Sequence, residues 1–264
     1  SNFGQDGQLK GKADVVHLDR PRAEALVAGL ADTQYDVRSV ESKPYRRSPY
    51  APFRTTTLQQ EASRKLGMSA SVTMSVAQRL YENGFITYMR TDSTTLSGSA
   101  IGAARNQVAE LYGNEYLPDA PRTYASKVKN AQEAHEAIRP AGDHFRTPNE
   151  VRGELDRDQL ALYELIWKRT IASQMADARG QTVSLRLAAT SSDGENVEFG
   201  AAGTVITFPG FLAAYEVGKD DPADDEDTPP LPNLNEGDVV ETKELTAEGH
   251  STSAPPRYTE ATLV

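Results

Sequence analysis

The period of apolar residues changes along the chain, and the changes divide it into blocks. Ala13-Asp14-Val15-Val16-His17-Leu18 reads as a strand. Asp19 then caps a helix with Pro21 in its first turn, running through Ala25-Leu26-Val27 to Ala31. Tyr35 to Glu41 reads as a second strand, with Val37 and Val40 as its apolar members, and Pro44, Pro49 and Pro52 mark a boundary. Beyond it the period becomes helical. Thr57 and Gln60 form a T-x-x-Q capping box for a helix ending at Leu66-Gly67. A second helix begins at Ser71, places Val72, Val76, Ala77, Leu80 and Tyr81 on one face, and closes at Gly84. A short strand, Phe85–Arg90, follows. Two helices, a tight turn and a strand make a winged-helix-like sequence. Ser97 caps a further helix with Ile101, Ala104, Val108 and Leu111 as its stripe, stopped by Gly113. Asp156 caps a long one whose core face is Leu160, Tyr163, Ile166, Trp167, Thr170 and Ile171. After Gly180 the period returns to two: Val183, Leu185 and Leu187, a turn at Asp193-Gly194, a strand Thr204–Phe208, a turn at Pro209-Gly210, and a last strand Asp238–Glu244. No internal repeat appears.

The pattern predicts an α+β multidomain chain. A mostly helical domain, 48–172, is inserted into a discontinuous strand-rich domain made of 1–47 and 173–250, and 251–264 begins another element. The apolar share, 38% plus 19 glycines in 264 residues, excludes a disordered chain. The absence of cysteine excludes a disulfide framework, a thiolate metal site and a catalytic thiol. No apolar run approaches the roughly 18 residues of a membrane span. The expected setting is the cytoplasm, with no membrane partner. The ends, Ser1-Asn2 and Leu263-Val264, read as those of an excised fragment.

Charge refines this picture. The formal total is −10, yet Pro44 to Arg169 holds 17 basic and 14 acidic residues, a balance of +3, leaving −13 for the remainder. Much of the acid is Asp220-Asp221-Pro222-Ala223-Asp224-Asp225-Glu226-Asp227, which reads as a solvated loop, since a metal site needs strand ends or an ordered loop as scaffold. The middle block is therefore the part able to meet a polyanion.

Three patches carry candidate chemistry. In Phe85-Ile86-Thr87-Tyr88-Met89-Arg90-Thr91-Asp92-Ser93, an extended backbone puts Tyr88, Arg90 and Asp92 on one face. A phenol of pKa about 10 is a weak nucleophile unless a cation stabilises the phenolate, and Arg90 can do that or hold a phosphodiester. From spacing alone the patch reads more readily as a half-exposed strand with a surface Tyr–Arg pair. In Ala134-His135-Glu136-Ala137-Ile138-Arg139-Pro140, a helix would place His135 and Arg139 at i,i+4, able to bind phosphate and move a proton, or simply forming a charged surface turn. In Pro256-Arg257-Tyr258-Thr259-Glu260, Thr259 can cap a helix whose N-terminus accepts phosphate beside Arg257, or merely start a helix. Ser75, Gln78 and Arg79 suit a nucleic-acid backbone, whereas Tyr81 and Phe85 read as core.

The run Thr57-Leu58-Gln59-Gln60-Glu61-Ala62, then Thr87-Tyr88-Met89-Arg90-Thr91-Asp92-Ser93, then Ala134-His135-Glu136-Ala137-Ile138-Arg139-Pro140, in this order and spacing, resembles the type IA DNA topoisomerases over nearly the whole chain. The resemblance implies that Tyr88 is the nucleophile that becomes joined to a DNA 5′-phosphate, that Arg90 positions that phosphate, and that His135 belongs to the active-site network. It gives Asp92, Glu136 and Arg139 supporting roles, and places Arg90, Asp92, Arg139, Arg257, Tyr258 and Thr259 as the DNA-binding residues. It makes 48–172 the tyrosine domain, the two flanks the arch of a toroid, and 251–264 the start of a single-stranded-DNA-binding domain. It implies single-stranded and negatively supercoiled DNA as partners, association with the nucleoid, and relaxation without ATP. Mg²⁺ is implied for the complete enzyme, held by a Toprim domain of the same chain that nothing here matches. No metal ligand is expected among these residues, and the fragment alone is expected to be inactive. The competing readings are another tyrosine-nucleophile strand transferase, such as a recombinase or a rolling-circle nickase, and a non-catalytic winged-helix DNA-binding module.

Overall fold

The computed structural model describes residues 18–124, 136–215, 231–251, 254 and 257–263. The strand expected over 13–18, the acidic run 220–227 and His135 fall wholly or almost wholly outside them. In chain order the elements are α1 (Arg20–Leu30), β1 (Tyr35–Arg47), α2 (Thr55–Leu66), α3 (Ala70–Glu82), α4 (Gly98–Leu111), α5 (Pro148–Val151), α6 (Arg157–Ser173), β2 (Ala178–Thr190), β3 (Asn196–Phe208), β4 (Val239–Val240) and α7 (Glu260–Leu263). The four strands form one sheet in the order β3-β2-β1-β4.

The caps read from sequence largely hold, because each is a local bond. The carboxylate of Asp19 accepts from the Arg22 N–H at 3.0 Å, Ser97 Oγ from Ala100 at 3.3 Å and Asp156 from Gln159 at 2.8 Å. Gly67 takes φ +66° at the end of α2, the left-handed conformation that closes a helix. Two caps shift. Thr57 is not the cap of α2 but its third residue, and its hydroxyl accepts from the Arg54 N–H at 3.1 Å. Ser69, not Ser71, caps α3. β1 runs on through Pro44 to Arg47. β4 pairs only with Tyr35 and Asp36, so the Pro44 end of β1 lies beyond that pairing. The last strand shrinks to Val239–Val240.

The chain separates into two compact units, one of residues 1–43, 182–205 and 228–257, the other of 44–181, 206–227 and 258–264. In the first, Leu30 of α1 packs with Tyr35, Ala189, Val197, Phe199, Val240 and Leu245. Tyr35 and Phe199 meet as tilted rings 5.8 Å apart. The pairs Thr182–Thr204 and Thr190–Asn196, bonded through their side chains, keep a constant sum of residue numbers, as an antiparallel hairpin requires.

The second unit holds the larger core, centred on α6. Leu162, Tyr163, Ile166, Ile171 and Trp167 meet Leu58, Leu80, Ile86, Ile138, Phe53 and Phe145, nearly all without solvent contact. Each such side chain contributes about 1.5–3 kcal/mol of burial. Val72, Tyr81 and Leu111, expected on buried stripes, are exposed; Thr73, Ala100, Ala103 and Gln107 take those faces instead. Two polar groups in this core pair with one another or with the backbone: Trp167 Nε1 donates to Gln107 Oε1 at 2.9 Å, and the Tyr163 hydroxyl to the Arg146 carbonyl at 2.6 Å.

Asp177, buried just before β2, is clasped by Arg46 and Arg122. Burial alone would raise its carboxyl pKa, but hydrogen bonds from Arg46 and Ser48 and the charge of Arg122 outweigh that and hold it below the usual carboxylate range. Arg122, itself largely buried, carries more of the clasp than exposed Arg46. The stabilisation is complete above the unfolded carboxylate value of about 3.9 and fades as pH falls through the lower folded value. Asp177→Asn is expected to cost about 1–3 kcal/mol at neutral pH. Thermal unfolding should show a shallower loss of stability toward acid in the variant than in the wild type; parallel acid profiles would remove the clasp from the account.

Candidate active site around Tyr88 and Arg90

Gly84, at φ +77°, ends the α3 turn and releases the chain into residues 85–93. This stretch is not the strand that alternation predicts: the chain bends at Phe85, Thr87, Met89 and Arg90, and among the described residues it makes one bridge, Ile86 opposite Pro140. The run 136–140 is likewise not helical, which removes the i,i+4 geometry expected for Arg139; a helix would have to donate the amides that these residues spend on partners elsewhere in the chain. The two stretches bind one another. Thr87 donates its N–H to the Arg139 carbonyl at 2.9 Å, and Ala141 donates to the Phe85 carbonyl at 2.9 Å. The Thr87 hydroxyl donates to the Ala137 carbonyl at 2.8 Å and accepts from the Arg139 N–H at 3.0 Å.

A third stretch closes the assembly. Ile138 donates to the Phe53 carbonyl at 2.8 Å, and Thr55 donates its N–H to the Thr91 carbonyl at 2.9 Å. Upstream, the buried Arg169 guanidinium donates to the Ala51 carbonyl at 2.6 Å and lies about 5 Å from the rings of Tyr50, Phe53 and Tyr215. Cation–π contacts of this kind gain strength away from water.

Pinned from both sides, the segment alternates. Tyr88, Arg90 and Asp92 are exposed, while Met89, Thr91 and Ser93 are buried. Three polar side chains thus turn to solvent in alternation with three that turn inward. Tyr88 is 38% exposed, and its ring meets that of Tyr81 edge-on at 5.3 Å. Tyr81 belongs to this surface and not to the core. No ion pair joins Arg90 to Asp92 among the described residues, so Asp92 does not hold Arg90 in place. Ser75, Gln78 and Arg79 are exposed on α3, with Gln78 donating to Glu82 at 2.8 Å.

Arg139 faces inward. Its Nε and Nη2 donate to Glu136 Oε2 at 3.0 and 2.6 Å, and its Nη1 donates to the carbonyls of Pro140 and Gly142 at 2.8 and 2.9 Å. At 7% exposure it is spent on the protein, so the sequence expectation of a direct DNA contact gives way to a structural place behind the site. Glu136 turns its other oxygen to the Ser97 N–H at 2.6 Å, tying this network to the start of α4. Burial would raise the Glu136 carboxyl pKa, but the Ser97 hydrogen bonds and Arg139 together lower it. Tyr258 and Thr259 are exposed just ahead of α7, and Glu260 accepts from the Ala70 N–H at 3.3 Å; Arg257 is exposed in the other unit.

Sequence reasoning found Tyr88 and Arg90 but not Thr55 and Thr87. Their partners lie 34–52 residues away, and no local period signals such a bond. Among the described residues, no three His, Cys, Asp or Glu side chains converge as a metal site, and Asp92 is a lone carboxylate on this face. The implied Mg²⁺ therefore does not fit these residues. No helix among them is long and apolar enough to cross a membrane.

The chain is 63% identical over 266 residues to DNA topoisomerase 1 of Streptomyces coelicolor, and 59% identical over 270 residues to that of Mycobacterium tuberculosis. All of this chain is matched in each case, against 28% and 29% of the relative, so the chain spans under a third of their length. The full-length topoisomerase I of Thermotoga maritima has a similar fold, with a TM-score of 0.64 and 35% identity, over 84% of this chain and 35% of that one. A family profile described as DNA topoisomerase matches residues 3–264, and the chain belongs to the type IA DNA topoisomerase family.

Proposed function

We propose that this chain is the gate and nucleophile portion of an enzyme that cleaves one DNA strand, passes another through the break and reseals it, relaxing negative supercoils without ATP. The observation that carries the reading is the exposure of Tyr88 and Arg90 on one face of a backbone fixed on both sides. In the proposed step the Tyr88 hydroxyl gives up its proton as its oxygen attacks phosphorus, the P–O3′ bond breaks, and the leaving 3′-oxygen takes up one proton, so protons balance. A 5′-phosphotyrosine forms, conserving the phosphodiester for resealing, so no nucleotide hydrolysis is needed. Arg90 presents a planar donor fork to the phosphate oxygens. Asp92, Tyr258, Thr259 and Arg257 are proposed to line the path of single-stranded DNA, with the α2–α3 pair as a winged-helix-like element. His135 joins the active-site network. Mg²⁺ is assigned to a Toprim domain of the complete protein, where it would supply charge neutralisation. The strand-rich unit acts as the arch, and the protein works on the nucleoid.

Arg139 is proposed to support Glu136, not to touch DNA.

Four outcomes test this. In the full-length protein, Tyr88→Phe should abolish covalent adducts on end-labelled single-stranded DNA while leaving binding nearly intact, because one hydroxyl is lost. The adduct of the unaltered protein should carry the 5′-phosphate; a 3′-linked adduct would indicate a recombinase-like enzyme. Arg90→Lys keeps the charge but loses the fork, and should slow cleavage about tenfold or more; wild-type cleavage would make Arg90 a bystander. Arg139→Gln should lower stability by about 3–5 kcal/mol, since it strands a partly buried carboxylate. A variant that melts like the wild type but binds DNA weakly would return Arg139 to the DNA surface.

A further inference from the structure

The Thr55 hydroxyl lies against the backbone on both sides of Arg90. Its single proton reaches the Met89 carbonyl at 2.8 Å, with the Thr91 carbonyl at 3.1 Å as the alternative. Its lone pair accepts the Thr91 N–H at 2.9 Å. The Thr55 N–H, one of the first-turn amides of α2 that no helical carbonyl can satisfy, goes to the Thr91 carbonyl at 2.9 Å. One half-buried residue therefore holds the peptide before Arg90 and the residue after it. Those bonds fix the two backbone dihedrals of Arg90, and with them the direction in which its exposed side chain leaves the chain. Nothing else among the described hydrogen bonds reaches the Met89 carbonyl or the Thr91 N–H. Tyr88 is held differently, from its other side, by Thr87.

We infer that Thr55 is a positioning residue for Arg90, a clip that aims the guanidinium at the phosphate beside Tyr88. The inference rests on the roles proposed above for Tyr88 and Arg90. It also makes the first turn of α2 part of the reacting apparatus without any contact to DNA. A geometry set this way matters because small misplacements of a positioning group cost large factors in rate. Serine keeps both hydroxyl bonds. Valine keeps the shape and loses them.

The test uses full-length protein carrying Thr55→Val, Thr55→Ser, Arg90→Lys and the Thr55→Val/Arg90→Lys pair, in single-turnover cleavage of end-labelled single-stranded DNA, with affinity measured separately. Thr55→Val should slow cleavage about tenfold with affinity within about twofold, and Thr55→Ser should stay within about threefold of wild type. The double variant should be no more than about twofold slower than Arg90→Lys, because the clip has nothing left to aim. Wild-type cleavage by Thr55→Val, an equal loss in Thr55→Ser, or multiplying losses in the double variant would each overturn the inference. Hydrogen exchange at the Thr91 amide gives an independent measure: it should speed up in Thr55→Val while α3 amides stay protected, and unchanged exchange would also overturn the clip. An adduct that survives Tyr88→Phe would instead defeat the reading of the nucleophile, and the Thr91 amide would then judge the clip by itself.

Discussion

The second unit depends on cross-pinning three stretches that lie outside the sheet: 53–55, which leads into α2, 85–91 and 137–141. Phe53 with Ile138, Ile86 with Pro140, and Thr55 with Thr91 are the joints. Extended backbone without a neighbouring strand leaves amides and carbonyls that must find partners once buried. Here the stretches satisfy one another, and two threonine hydroxyls fill the places where main-chain groups do not reach. A nucleophile borne on a free loop would sample many orientations. One borne on a regular strand would commit the neighbouring peptides to a ladder. The mutual pinning gives a rigid backbone whose outward residues stay open to solvent.

Burial supports the same joints from beneath. Met89 and Ile86 turn into the core as Tyr88 and Arg90 turn out, so the segment cannot lift without exposing apolar surface. Arg169 holds the strand of chain that leads to Thr55 by a carbonyl bond and three aromatic faces. Glu136 and Arg139 brace the third stretch against α4. The site is thus built on interactions whose loss would be felt as instability first and as altered chemistry second.

The sequence was most legible where the determinants are local. Asp19, Ser97 and Asp156 each bond an amide three residues ahead, and each could be read directly. The face shared by Tyr88, Arg90 and Asp92 was also legible, because alternation depends only on extended backbone. The strand assigned to 85–90 does not form, and of the helix implied for 134–139 the described part, 136–139, is not helical, since both outcomes turn on partners 50 or so residues apart. Val72 and Tyr81 show the other limit. Apolar character did not tell a core stripe from an exposed one at the edge of the site. Tyr81 stands beside Tyr88, where an aromatic surface is compatible with solvent.

The inward turn of Arg139 and Arg169 changes how this protein meets a polyelectrolyte. Formal charge counts both as cations of the middle block, yet one is neutralised by Glu136 and the other lies among rings, at 7% and 6% exposure. Arg122 and Arg46 are likewise matched by Asp177. Counterions released when a nucleic acid binds are those displaced by cations that reach its phosphates. Exposed side chains such as Arg79, Arg90, Arg152 and Arg157 would set that release, and Arg139 and Arg169 would add nothing to it. Under the proposed function, the ionic-strength dependence of binding is therefore gentler than the arginine content of the block suggests.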